Sequence, residues 1–191
     1  MADAPSPEVL SRETIYTGRV LRLEREDIRL RPDGPVTAME IVRHRGSVVL
    51  IPQPSAREVI LIRQYRHVIG AWIWELPAGT LDPGEAPEIG AARECEEEIG
   101  LAPATLTRLG AWYPTPGFCD ELMTFYRCED LRPPSGQAHA DDDEQIEPRT
   151  FSLEEARALI DSGQVRDMKT VFGLALIGVS ASASTSSISE T

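Results

Sequence analysis

"GTLDPGEAPEIGAARECEEEIGL", residues Gly79 to Leu101, places Glu94, Glu96, Glu97 and Glu98 within five positions. The apolar spacing predicts a helix. Pro87 suits its first turn, where a missing N–H does no harm, and Gly100 suits its C-terminal cap. Such a helix works against itself. Like charges one turn apart destabilise it, and its C-terminal end already carries the negative pole of the helix dipole. At about 100° per residue, Glu94, Glu97 and Glu98 share one face, while Ala91, Ala92, Cys95 and Ile99 occupy much of the other. A packing face thus lies opposite a carboxylate face. Arg93 is spaced to pair with Glu97, but one guanidinium does not neutralise the set. Either this face is simply solvated, or a hard divalent cation sits among the carboxylates. Mg²⁺ or Mn²⁺ would fit, since Mg²⁺ takes a few carboxylates together with phosphate oxygens and water.

Spacing decides between these. Gly79, five residues, Glu85, seven residues and then Arg93-Glu94-Cys95-Glu96-Glu97-Glu98-Ile99-Gly100-Leu101 resembles the Nudix hydrolase signature at every specified position. Cys95 fills an aliphatic slot, which a small buried hydrophobe can do. The resemblance implies a loop–helix–loop whose glutamates hold divalent metal, and substrates that are diphosphates linked to another moiety. It implies Glu94 and Glu98 as the principal metal ligands, Glu97 nearby, the Ala78 carbonyl as a backbone ligand, and Glu85 with Arg93 joining loop to helix. Gly79 is read as a tight-turn residue and Pro83-Gly84 as the next turn.

The flanks narrow the branch. "RQYRHVIGAWIWELPAGTLDPGE" (63–85) resembles the ADP-ribose pyrophosphatases, in which R-Q-Y-R and W-E-L-P-A-G precede the signature and a proline follows it. Pro116 stands fifteen residues beyond Leu101, within "YPTPGFCDE". Arg63 and Arg66 become candidates for phosphate or ribose contacts, for which arginine is suited. The alternative for both is an exposed strand face. Trp72 and Trp74 are candidates for stacking on adenine, or else pack. The acidic run "ADDDEQIE" (140–147) resembles the loop that supplies a catalytic carboxylate in this branch. Glu144 is its candidate as extra metal ligand or general base, with Asp142 as the alternative. The expected reaction is Mg²⁺-dependent hydrolysis of ADP-ribose to AMP and ribose 5-phosphate. Alternatives are another nucleoside diphosphate sugar, NADH, or a sensor that binds ADP-ribose without hydrolysing it. The full set of glutamates counts against the sensor.

The chain of 191 residues is 41% hydrophobic and 26% charged, with a net charge of −12. That balance argues against a phosphate-backbone binder, which would show a basic surface, so no nucleic-acid partner is expected. No apolar run reaches the length of a membrane span. The N-terminal residues show no basic and apolar signal pattern. Cys95, Cys119 and Cys128 form neither a disulfide framework nor a zinc site. A cytoplasmic protein is the expectation.

Strand-like runs outnumber helices, and a long helix interrupts them, so the class is α+β. The resemblance implies a Nudix-type α/β/α sandwich with a mixed central sheet and an N-terminal antiparallel strand extension. Residues 1–12 read as a flexible arm, 13–44 as the strand extension, 45–178 as the Nudix domain and 179–191 as a disordered tail. "SLEE" from Ser152 is a capping box that opens a helix, and another helix follows from about Met168. The branch implies a homodimer in which residues 13–44 cross to the partner and help complete its substrate site.

Overall fold

A computed structural model of the chain describes residues 6–134 and 146–182. These residues fall into two compact units. One comprises the described part of 1–46 with Tyr113–Leu122, and the other the described part of 47–112 with 123–191.

In the first unit, β1 (Glu8–Thr17), β2 (Leu21–Arg29) and β3 (Val36–His44) form an antiparallel meander. Its interior is ionic. Glu24 and Glu26 on β2 are only 3% and 4% exposed. Arg43 on β3 donates to Glu24 at 2.8 Å, to Glu26 at 2.8 Å and to Asp120 at 3.1 Å. Arg12 reaches Glu26 at 2.7 Å and Arg22 reaches Glu24 at 2.8 Å. Residues Tyr113–Leu122 run beside β3, with Val42 N–H on the Phe118 carbonyl and Asp120 N–H on the Val42 carbonyl. β1 begins at Glu8, inside the stretch read as a loose arm. Every residue of β1 is exposed, so no apolar alternation marks it. Backbone pairing with β2 and the Glu8–Arg29 and Arg12–Glu26 ion pairs hold it.

The second unit contains β4 (Ser47–Pro52), β5 (Glu58–Arg66), β6 (Ala71–Glu75), β7 (Ala78–Thr80), α1 (Pro87–Ile99), β8 (Ala102–Trp112), β9 (Met123–Arg132), β10 (Ile146–Ser152), α2 (Leu153–Asp161) and α3 (Met168–Leu176). It has two sheets. β7-β4-β9-β8 is mixed, because β4 and β9 are parallel and the other neighbours antiparallel. β10-β5-β6 is antiparallel throughout.

Every residue of β4 is buried, and alternate side chains serve two cores. Val48 and Leu50 pack with Ile60, Ile62, Tyr126 and Cys128 and with Ala91, Cys95 and Ile99 of α1. Val49 and Ile51 pack with Leu61, Phe125 and Phe151, with Ala156 of α2 and with Leu174 of α3. Helices therefore cover both faces, which is the α/β/α layering expected. Each fully buried aliphatic side chain contributes about 1.5–3 kcal/mol.

The α2 capping box is present, with Ser152 and Glu155 bonding each other's backbone N–H groups. Other details differ from the sequence reading. "AWIWE" is strand β6, joined to β5 through a single 3₁₀ turn at His67–Ile69. The tail does not begin at 179. Val179 is 1% exposed in the core, and Ser182 bonds the Asp161 carboxylate twice, at 2.8 and 2.6 Å. None of the helices among the described residues is long and apolar enough to cross a membrane.

Candidate active site

The signature helix forms as its sequence dictates. Pro87 opens α1, and Gly100 closes it in the left-handed conformation at φ 70°. Cys95 and Ile99 bury the packing side. The Cys95 thiol meets that of Cys128. This contact and burial push its pKa far up, so it stays an inert thiol.

On the other side, Arg93 gathers the carboxylates. It grips Glu85 with Nε at 3.0 Å and Nη2 at 2.9 Å, which fastens the loop to the helix. Its Nη1 donates to Glu94 at 2.7 Å and to Glu97 at 2.8 Å. Hydrogen bonding to Arg93 holds Glu85 below the usual carboxylate range against the opposing effect of burial. Glu94 lies against the backbone of β7. A Cβ added to Gly79 would fall 1.9 Å from its carboxyl carbon. The glycine is thus required by close approach of a side chain, rather than by the tight turn expected of it. Ala78 donates its N–H to Glu98 at 2.9 Å. The structure ties this residue to the site through its amide, where the sequence reading had named its carbonyl.

The donor set suits a divalent cation. Glu94 and Glu98 stand one turn apart and are 8% and 9% exposed, while Glu97 is tied to Arg93. Among the described residues no three His, Cys, Asp or Glu side chains converge as a cage. Mg²⁺ does not require one, since it uses one or two carboxylates with substrate phosphates and water.

The flanking candidates separate. Arg63 and Arg66 are three residues apart on β5 and so project from opposite faces. Arg66 shares the face of Ile60 and Ile62, which pack with α1. Arg63 pairs across the ladder with Trp74, and Tyr65 with Trp72. Trp74 packs with the core that holds α2 and α3, edge-on to Phe151 at 4.8 Å. Arg63 lies over the Trp72 ring at 5.2 Å and near Glu147 at 3.7 Å. Arg63, Trp72 and Trp74 therefore lie on the sheet face opposite the one that packs against α1. Pro116 lies in an exposed turn of the first unit, where Phe118 and Cys119 donate to the Thr115 carbonyl. Asp142 and Glu144 lie outside the described residues.

Arg66 does not stand alone. It makes a two-pronged bond to Glu75 at 2.7 Å on each arm. Glu75 is 1% exposed and also accepts from Lys169 of α3, which bonds Asp167 at 3.0 Å. Burial pushes Glu75 upward, but Arg66 and Lys169 outweigh it and hold the carboxyl below its ordinary value. The Glu75 bond, reinforced by the charges of Glu98 and Asp167, keeps Arg66 firmly protonated. The sequence reading missed Glu75 and Lys169. A signal existed: Glu75 is the one charge in "AWIWE", and Lys169 is the chain's single lysine.

Residues 42–171 match the family described as NUDIX domain. The chain is 36% identical over 167 residues to an ADP-ribose pyrophosphatase of Bacillus subtilis (strain 168), covering 87% of this chain and 90% of that one. It is 40% identical over 126 residues to an ADP-ribose pyrophosphatase of Mycobacterium tuberculosis, covering 65% and 60%. It is also 34% identical over 167 residues to a methanol dehydrogenase activator of Bacillus methanolicus, covering 87% and 90%. Its fold is similar to that in a crystal structure of an ADP compounds hydrolase, with TM-score 0.79, 24% identity and coverage of 93% and 95%. With its signature on α1 and the match spanning most of its length, this chain belongs to the Nudix family.

Proposed function

We propose that the chain is a Mg²⁺-dependent pyrophosphatase that hydrolyses ADP-ribose to AMP and ribose 5-phosphate. The observation that carries this reading is the pair Glu94 and Glu98, one turn apart and nearly buried on α1, beside Glu85 and Glu97. The two relatives named ADP-ribose pyrophosphatase support the substrate. Glu94 and Glu98 would hold the divalent cation. When bound, such an ion neutralises diphosphate oxygens and acidifies a water. Arg66 meets a phosphate oxygen from the same sheet face. Arg93 keeps Glu94 and Glu97 oriented, and its grip on Glu85 holds the loop closed on the helix. Glu144 is the proposed general base, with Asp142 as the alternative.

A second reading keeps the chemistry and changes the sugar. GDP-mannose pyrophosphatases are among the relatives, one 28% identical over 158 residues. Purified protein with Mg²⁺ and matched ADP-ribose, GDP-mannose, NADH and a nucleoside triphosphate separates these readings. ADP-ribose is expected to give the highest kcat/KM, with AMP and ribose 5-phosphate as products. A preferred triphosphate overturns the branch, and a preferred GDP-mannose changes only the sugar.

The reading includes a cytoplasmic homodimer formed through the first unit. Val9, Leu10, Ile15, Tyr16, Val20 and Leu21 are exposed there, more apolar surface than a solitary three-stranded ribbon tolerates well. Light scattering is expected to give twice the 21.0 kDa chain mass. A fully active monomer defeats this part.

A further inference from the structure

We infer that Glu75 is a positioning residue for substrate binding: with Lys169, it fixes the Arg66 guanidinium in the orientation from which it meets the diphosphate. The inference rests on the proposed pyrophosphatase reading.

A carboxylate that is 1% exposed at the end of an apolar strand is costly unless paired. Its partners explain its presence. Across the ladder Arg66 stands opposite Ala71, whereas Glu75 stands opposite Ile62. To bond Glu75, Arg66 must therefore fold back along β5, past Gln64, and not extend into solvent. Two-pronged bonding fixes the plane of the guanidinium as well as its position. Nε and Nη2 are used at 2.7 Å each. Among the described residues Nη1 has no partner, and 41% of the side chain remains exposed. The guanidinium thus presents a free edge in a fixed direction, on the face toward α1.

The clamp is itself anchored. Glu75 accepts from Lys169, and Asp167 accepts from Lys169 and from the Thr170 N–H as the cap of α3. The Thr170 hydroxyl, 0% exposed, accepts the Leu76 N–H at 2.8 Å. The end of β6 is thereby fastened to the start of α3 at Glu75 and at Leu76. A compact ammonium suits the space between two carboxylates, where a flat guanidinium would need a wider gap. That accounts for a lysine here in a chain whose other basic residues, histidines apart, are all arginine.

Glu75 acts through Arg66 and does not touch the reacting atoms, so the loss should fall mainly on KM.

The test uses full-length E75Q, R66A, the E75Q/R66A double variant, K169M and K169R, with kcat and KM measured on the diphosphate that wild type turns over best. Choosing that substrate separates failure of this inference from failure of the ADP-ribose assignment. E75Q is expected to raise KM about tenfold or more with kcat within about threefold. The double variant is expected to be no worse than R66A, because Glu75 acts through Arg66. K169M is expected to raise KM by about threefold and K169R to recover only part of that loss, because the flat guanidinium fits less well between the two carboxylates. If E75Q does not fold, the K169M and K169R pair decides. Losses that multiply in the double variant, a fall in kcat at constant KM, or an unmoved KM in K169M would each overturn the proposal.

Discussion

Two arginines in this chain do the same local job in different surroundings. Arg43 binds Glu24, Glu26 and Asp120 in the first unit. Arg93 binds Glu85, Glu94 and Glu97 in the second. Around Arg43 the charges balance, because Arg12 and Arg22 bring the cations to three against three carboxylates. Arg93 gathers its three carboxylates on the signature loop and helix, with Glu98 one turn from Glu94 and bonded by the Ala78 N–H. The first cluster ties strands together; the second lies on the helix face that carries the Nudix signature.

The sharpest way to break this comparison is at the cluster on the signature helix. Glu94→Gln and Glu98→Gln are each expected to lower kcat by roughly 10³-fold or more, since electrostatic stabilisation is usually the largest catalytic contribution. Near-wild-type turnover in both would end the metal assignment. The metal-free Glu98→Gln protein is expected to melt slightly higher than wild type, because one repelling charge is gone. Glu24→Gln is expected to melt lower, because it uncouples a buried pair. Thermal scans in chelator compare the two signs directly, and equal signs would refute the distinction.

Gly79→Ala comes next. The added methyl would occupy the space of the Glu94 carboxylate, so turnover is expected to fall about 100-fold while the fold persists. A retained rate would mean that Glu94 does not need its place against β7. Arg43→Met is expected to lower the melting temperature by about 5 °C or more and to leave the Mg²⁺ activation midpoint unchanged. A shifted midpoint would make the first cluster part of the chemistry.

The smallest effect is in pH. Glu24 and Glu85 are held below their usual value of 4.5, chiefly by hydrogen bonds from Arg43 and Arg93 respectively. A depressed folded-state value stabilises fully above the unfolded value and is lost as pH falls through the folded one. Melting temperature should therefore hold down to about pH 4.5 and decline below it. Arg43→Met should flatten part of that decline, and an unchanged acid limb would show that Glu24 is not the group being protonated.

The helix α1 was legible because its whole specification is local. Pro87, the alternation of Ala91 and Cys95 with the glutamates, and Gly100 all lie within one short segment. The odd separation of Arg63 and Arg66 on a strand sends them to opposite faces, and treating R-Q-Y-R as one motif hides it. Glu24 and Glu26 went unnoticed because charges in a strand suggest a solvent face, while here they form the interior. Glu75 and Lys169 meet across 94 positions, a distance over which spacing carries no information. Strand β1 lacks buried side chains altogether, so only its pairing with β2 reveals it.

The parallel contact of β4 with β9 has a consequence for how the protein acquires activity. Ser47 to Pro52 lies beside Met123 to Cys128, with α1 and β8 between them in the chain. Helix α1 can coil on its own timescale, but closing so large a loop is slow. Gly79 and Ala78, against which Glu94 and Glu98 rest, sit on β7, and β7 is held by β4. The glutamates can therefore be helical long before they are arranged. In refolding, far-ultraviolet ellipticity should recover ahead of catalysis, and the return of turnover should keep time with the joining of β4 to its neighbours.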